Sequence, residues 1–177
     1  MGFEPRADGS RKRVRGRATI FARRIMPSFI LTTSGALVSM QYVFVYGTLR
    51  AGEVNDINRA AERHDIATPE WLGAAHVHGR LFDFGTYPGL VIDESGAPIR
   101  GDVYRIDDAL VPVLDEIEEV YPGVEGLFRS HRLHVEVDVE GRKDRIDCLI
   151  YPVAAAAATG RPRIESGDWV AHRASRV

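Results

Sequence analysis

Four of the five residues from 115 to 119 carry carboxylates: Asp115, Glu116, Glu118 and Glu119. They sit in a segment, Leu110 to Val120, whose apolar residues recur at helical spacing. At about 100° per residue, Leu110, Val113, Leu114, Ile117 and Val120 gather into one stripe. That phase puts Asp115, Glu116 and Glu119 on the solvent face. Glu118 falls at the stripe edge, between Leu114 and Val111. A carboxyl group partly withdrawn from water has a raised pKa, which suits a group that acts first as base and then as acid. Geometry alone favours a plainer role, a boundary carboxylate paired with a nearby arginine.

The second chemical element is Tyr46-Gly47-Thr48-Leu49-Arg50, which follows the wholly apolar run Tyr42-Val43-Phe44-Val45. Such a run is expected to be a strand buried on both faces. Gly47 stops it. Without a Cβ, that position can take a positive φ and let a ligand approach the backbone. The N–H groups after such a turn can converge on an anion. Thr48 adds a hydroxyl and Arg50 a cation. Taken bare, strand, glycine, polar and basic residues are most often only a turn.

Other candidates carry less. Cys148 is the single cysteine, so no internal disulfide forms, and its setting in Ile146-Asp147-Cys148-Leu149-Ile150 reads as a small core residue. His76 and His78 share one face of a strand, and two histidines make a poor metal site. His131 and His134 read as structural or solvated. No G-x-S-x-G, H-E-x-x-H or Lys-Ser/Thr phosphate loop occurs.

Between the two chemical elements lie Gly79-Arg80-Leu81-Phe82-Asp83-Phe84-Gly85-Thr86-Tyr87-Pro88-Gly89-Leu90-Val91 and Gly101-Asp102-Val103-Tyr104-Arg105-Ile106. The ordered series Y-G-T-L-R, G-x-L-F-x-x-G-x-Y-P-G-L-V, G-x-V-Y-x-I and L-D-x-x-E resembles the γ-glutamylcyclotransferase-like family. Ser166-Gly167-Asp168-Trp169 is similar to that family's closing motif, so the resemblance runs over about residues 42 to 170. It implies an α+β fold, a small closed or nearly closed β-barrel with flanking helices and a cavity at the barrel mouth. It implies an enzyme releasing 5-oxoproline and a free amine from a small-molecule γ-glutamyl amine or γ-glutamyl amino acid. No cofactor is needed, and the setting is cytoplasmic. The match to L-D-x-x-E places the family's catalytic glutamate on Glu118 and overrides the plainer reading. Tyr46, Gly47, Thr48, Leu49 and Arg50 become the substrate-binding loop. Two departures stand out. The family's glutamate is usually followed by glycine, and here Glu119 follows, leaving the shape of the helix end open. Phe128 stands where the family has a tyrosine before Arg129. Tyr87 can either line the cavity or pack. A non-catalytic binding module on the same fold is the alternative.

These groups need elements to hold them. Asn55 to His64 reads as a short helix or irregular turn, and Trp71 to Phe84 as a strand pair or one strand bent at Gly79. Leu90 to Ile92 and Ile99 to Ile106 read as strands. Asp107 or Asp108 can cap the helix that follows, and Pro112 removes at most one early helix bond. Leu133 to Val139 alternates cleanly and pairs with Asp144 to Val153 through a turn at Gly141. Ala154 to Gly160 reads as a mobile connection. Short strands with one good helix argue for a mixed α+β domain on a small sheet.

A chain of 177 residues, 45% hydrophobic and 27% charged, is one ordinary globular domain by length and composition. Its charge is uneven: residues 1–39 hold eight of the 23 basic and two of the 25 acidic residues, net +6, leaving −8 on the rest. An acidic body with a basic arm does not resemble a nucleic-acid binder. Residues 1 to 18 lack apolar periodicity and are expected to be disordered. Ile25 to Met40 is too broken by polar residues for a secretory signal, and too short and polar for a membrane span. The reading favoured here is a basic extension over 1–39, with Met40 as the working start and 40–177 as the domain. The oligomeric state stays open.

Overall fold

The computed structural model describes residues 29–31, 37–139 and 141–176; the expectations for residues 1–28 lie outside the described residues. Strand β1 (Phe29–Leu31) is followed by β2 (Leu37–Val45), α1 (Ile57–Arg63), β3 (Glu70–Asp83), β4 (Pro88–Ile92) and β5 (Ala97–Asp107). Then come α2 (Val111–Ile117), β6 (His131–Val139), β7 (Arg142–Ile150) and α3 (Trp169–Ala174). The order β2-β5-β3-β6-β7 is antiparallel at each step, and a parallel pairing of Val43 with Leu149 returns β7 to β2. The result is a closed five-stranded mixed barrel, with β1 beside β2 and β4 paired to the end of β3. Among the described residues no helix is long and apolar enough to cross a membrane.

The barrel explains the apolar run. Tyr42, Phe44 and Tyr46 join the cluster that holds Val77, Val103, Val135, Ile146 and Cys148. The alternate residues Val43, Val45 and Leu49 join a second cluster with Ile57 of α1 and Leu110 and Leu114 beside α2. So β2 has a protein core on each face, and a period of two is hidden because both phases are apolar. Burying one Val, Leu, Ile or Phe side chain contributes about 1.5–3 kcal/mol. Phe44 and Val43, at 1% and 0% exposure, therefore each carry a sizeable share of a domain's stability. Cys148 is wholly buried, and burial pushes its thiol up to about 12, which removes it as a nucleophile.

Local chemistry sets the helices. Asp56 caps α1 by accepting from Asn58 N at 2.9 Å, and the helix buries Ile57, Ala60 and Ala61. The expected helix over 110–119 is shorter. Residues 108–110 form a 3-10 turn capped by Asp107, and α2 proper ends at Ile117. Pro112 lies in its first turn, where the missing N–H is not needed. The Trp71–Phe84 segment is one strand of 14 residues, with a register shift between Trp71 and Gly73 rather than a bend at Gly79. Strand β4 starts at Pro88, ahead of the expected Leu90. Ala155–Ala158 is a 3-10 turn whose Ala158 packs on Val91 and Val153, so this connection is anchored rather than loose.

Strand β2 starts before Met40, and Phe29–Leu31 pairs with Leu37–Ser39. The β2–β5 ladder, however, begins at Met40↔Asp107. Among the described residues, a chain shortened to start at Met40 gives up the β1–β2 pairing. It is expected to melt within about 2–4 °C of the full chain, the shift that ~1 kcal/mol gives in a chain of this length. A drop well beyond that range would make the extension part of the barrel's support.

Candidate active site

A cavity of about 170 Å³ opens between the end of β2, the end of α2 and the start of β4. Tyr46, Gly47, Thr48 and Leu49 form one wall, Ile117, Glu118 and Glu119 another, and Tyr87, Pro88, Leu127, Phe128 and Tyr151 most of the rest. This space holds an amino-acid-sized group, not a peptide. Tyr87 lines it, stacked on Phe84 at 5.7 Å and tilted against Phe128 at 5.8 Å.

The Gly47 loop is a built turn. Arg50 N donates to Gly47 O at 3.1 Å, Asn55 N to Thr48 O at 3.0 Å and Ile57 N to Leu49 O at 3.0 Å. The carbonyls thus bind the protein's own backbone. Among the described residues, the N–H groups of Thr48 and Leu49 donate to no protein acceptor. That is the polarity an anion needs. The reason for glycine differs from the one expected. Gly47 is not among the positive-φ residues. A Cβ there would instead sit 2.7 Å from Pro88 Cγ. Close packing, not backbone handedness, requires the glycine.

Arg50 does not reach the cavity. Its buried guanidinium pairs with Asp102 Oδ2 at 2.7 Å through Nε and with Asp168 Oδ1 at 3.0 Å through Nη1. Asp102 also accepts from Trp71 Nε1 at 3.3 Å, and Asp168 caps α3 by accepting from Val170 N at 3.0 Å. Arg50 therefore ties the loop to β5 and to the C-terminal helix. Its signal in the sequence was the acid in Ser166-Gly167-Asp168-Trp169, a ready partner for a buried cation.

Glu118 stands at the end of α2 with its carboxyl at the cavity, and burial alone pushes it up to about 7. Among the described residues it forms no ion pair, so the plainer arginine-paired role is absent. Its neighbours lock the frame. Tyr46 Oη donates to Tyr151 O at 2.7 Å and accepts from Leu90 N at 3.3 Å. Tyr151 Oη donates to Asp115 Oδ1 at 2.7 Å. Asp115, expected on the solvent face, is thus half-buried and fastens α2 one turn before Glu118. Burial and the nearby Glu118 charge both raise the Tyr46 phenol, which stays a neutral donor.

The helix end keeps the shape that glycine would give. Glu119 has φ 54°, Glu119 N donates to Glu116 O at 3.1 Å, and Val120 N to Asp115 O at 2.8 Å. These are the two bonds of a Schellman cap, with Glu119 in its left-handed position. The helical phase stops applying at this residue. Glu119 is exposed, yet it turns to the cavity rim instead of away from it. A side chain there costs on the order of 1–2 kcal/mol. Glu119→Gly is expected to raise unfolding stability by ~0.5–1 kcal/mol in urea, the gain being trimmed by glycine's freer unfolded chain. A loss of stability would mean that the Glu119 side chain makes contacts that outweigh its strain.

The four histidine expectations resolve simply: His76, His78, His131 and His134 are all exposed. Asn55 and Tyr151 are cavity residues that the sequence did not single out, and Glu119, expected on the solvent face, lines the cavity. Asn55 lies in no motif, and Tyr151 follows a strand end that was read as continuing to Val153.

With this geometry in hand, the comparisons are direct. A model of the family described as gamma-glutamyl cyclotransferase, AIG2-like, matches residues 43–171. A Vibrio cholerae protein provisionally named a gamma-glutamylcyclotransferase is 38% identical over 135 residues, spanning 72% of this chain and 93% of that one. A gamma-glutamylaminecyclotransferase of Bos taurus is 28% identical over 123 residues, spanning 63% of this chain and 65% of that one. The crystal structure of an AIG2-like protein from Mus musculus superposes with a TM-score of 0.56 at 24% identity, covering 71% of this chain and 86% of that one.

Proposed function

The chain belongs to the gamma-glutamyl cyclotransferase, AIG2-like family, and on that basis we propose that it cyclises a γ-glutamyl amine or γ-glutamyl amino acid to 5-oxoproline, with Glu118 carrying the protons. One observation carries this reading: Glu118, whose carboxyl burial raises to about 7, lines a small cavity together with Thr48 and Leu49, whose N–H groups donate to no protein acceptor among the described residues.

The substrate's α-ammonium sits beside its own free α-carboxylate, so its pKa lies above the roughly 8 of a peptide α-amine, and at neutral pH it must lose a proton before it can attack. The Glu118 carboxylate takes that proton. The freed nitrogen attacks the γ-carbonyl carbon and closes a five-membered ring. Glu118 then gives its proton to the departing nitrogen as the old C–N bond breaks. The attacking nitrogen still holds one proton too many for an amide, and this passes the same way. Two protons thus move from the entering to the leaving nitrogen, one at a time. An ammonium enters, an ammonium leaves, and no water is consumed. The Thr48 and Leu49 N–H groups hold the substrate's α-carboxylate and keep the chain curled, so that nitrogen and carbonyl meet as an intramolecular pair. The apolar ring walls of Tyr46, Tyr87 and Phe128 exclude water. A cytoplasmic setting and a free metabolite as the partner belong to the same reading.

The test is to incubate the protein with mixed γ-glutamyl amines in ¹⁸O water. Cyclisation gives unlabelled 5-oxoproline and an equal amount of amine. Labelled glutamate would mean hydrolysis and contradict the mechanism. Binding of 5-oxoproline with no turnover of any conjugate would make the domain a binding module.

A further inference from the structure

The cavity's charge does not balance once a γ-glutamyl group is placed in it. Among its described lining residues there is no Lys, Arg or His; the charged side chains are Glu118 and Glu119. Arg50, the nearest cation in the sequence, is spent on Asp102 and Asp168. In the reaction above, the substrate's α-ammonium answers Glu118 and the loop N–H groups answer its α-carboxylate. Glu119 is left without a counter-charge.

Its position makes that imbalance matter. Glu119 is exposed, lines the cavity and occupies a left-handed position at which a side chain is strained. The cavity, about 170 Å³, is filled by the glutamyl part, so the substituent on the departing nitrogen must emerge at the rim. Resting on the reaction proposed above, we propose that Glu119 is a specificity-determining residue that selects leaving amines bearing a second positive charge, such as diamines and polyamines, over amines bearing a carboxylate.

The attraction is that of a solvent-exposed pair, so it is modest. It favours a cationic over a neutral leaving group by roughly two- to five-fold, and it weakens at high salt. Because it is present in substrate and transition state alike, it acts on KM and leaves kcat in place.

Three γ-glutamyl conjugates of equal length test this directly: those of 1,5-diaminopentane, hexylamine and 6-aminohexanoate. They end in an ammonium, a methyl and a carboxylate. The natural protein is expected to rank kcat/KM in that order, with the ammonium ahead of the carboxylate by about ten-fold or more. In Glu119→Gln the three should come within about two-fold of one another, and in Glu119→Lys the order should invert. Glu119→Gly, which keeps the turn without strain, guards against a variant that fails to fold and should match Glu119→Gln. A flat ranking in the natural protein, or a ranking that survives Glu119→Gln, overturns the inference and leaves the cyclisation standing. Absence of 5-oxoproline from all three conjugates overturns both.

Discussion

Glu118→Gln is expected to fold, to bind 5-oxoproline and to lose turnover by on the order of a hundred- to ten-thousand-fold. Glutamine keeps the shape but cannot accept the ammonium proton. The same change is expected to stabilise the protein, because the native carboxyl is held in a place that disfavours its charge. The sign follows from linkage. Its pKa rises from 4.5 to about 7 on folding, so the folded state keeps the proton longer than the unfolded chain. Stability therefore falls as pH rises from 4.5 to about 7 and is flat above. Glutamine has no such penalty. Relative to the native protein it should gain ~2–3 kcal/mol at pH 8 and nothing at pH 4. Denaturant melts at the two pH values measure this. A variant that is dead and equally destabilised at both would have failed by misfolding. Glu116→Gln is the control, since Glu116 is exposed and lies off the cavity. Glu119 cannot serve, because it lines the rim.

Gly47→Val is expected to have the next largest effect. A Cβ at Gly47 would lie 2.7 Å from Pro88 Cγ and 3.1 Å from Pro88 Cδ. Pro88 cannot easily withdraw, because it opens β4 and pairs with Asp83 of β3. The loop must move instead, and with it the Thr48 and Leu49 N–H groups. Affinity for 5-oxoproline should drop at least ten-fold, and overpacking should lower stability by about 1–3 kcal/mol. Gly47→Ala should fall between the two. Titration calorimetry with 5-oxoproline, beside a thermal melt, reads both. Unchanged affinity in a folded Gly47→Val protein would reduce the loop to a turn.

The sequence makes some of this legible and hides the rest for physical reasons. The buried strand Tyr42–Tyr46 was readable because both of its faces are apolar, as a strand between two cores requires. The β6–β7 hairpin was readable from alternation, since one face meets solvent. Helical phase put Glu118 at the edge of the apolar stripe, while its chemical role was suggested only by the L-D-x-x-E resemblance; the same phase already misplaced Asp115, which Tyr151 holds half-buried. One residue after Glu118 the phase fails altogether. Glu119 turns left-handed, and no periodicity crosses a Schellman cap. Arg50 was placed with the ligand because a cation beside a loop glycine has two uses. Only Asp102, 52 positions on, and Asp168, 118 on, decide which. The role of Gly47 was misassigned to handedness because Pro88, 41 residues away in sequence, makes the contact that matters. For Arg50 and Gly47 the missing information was a long-range partner; for Glu119 it was a local change of backbone handedness.

The central claim is that Glu118, half-buried at the cavity and without an ion pair among the described residues, is the proton carrier, and the pH profile of kcat/KM with a γ-glutamyl amine tests it most directly. The productive encounter joins ionised Glu118 to a substrate whose amine is still protonated. The profile should be bell-shaped. Its acid limb should lie at about 7, set by Glu118. Its alkaline limb should lie above the roughly 8 of a peptide α-amine, because the substrate's own ionised α-carboxylate holds its ammonium's proton more tightly. An acid limb near 4.5, the ordinary carboxylate value, would contradict a buried base. A rate that keeps rising through the amine's pKa would mean that the enzyme takes the free amine and needs no base at all.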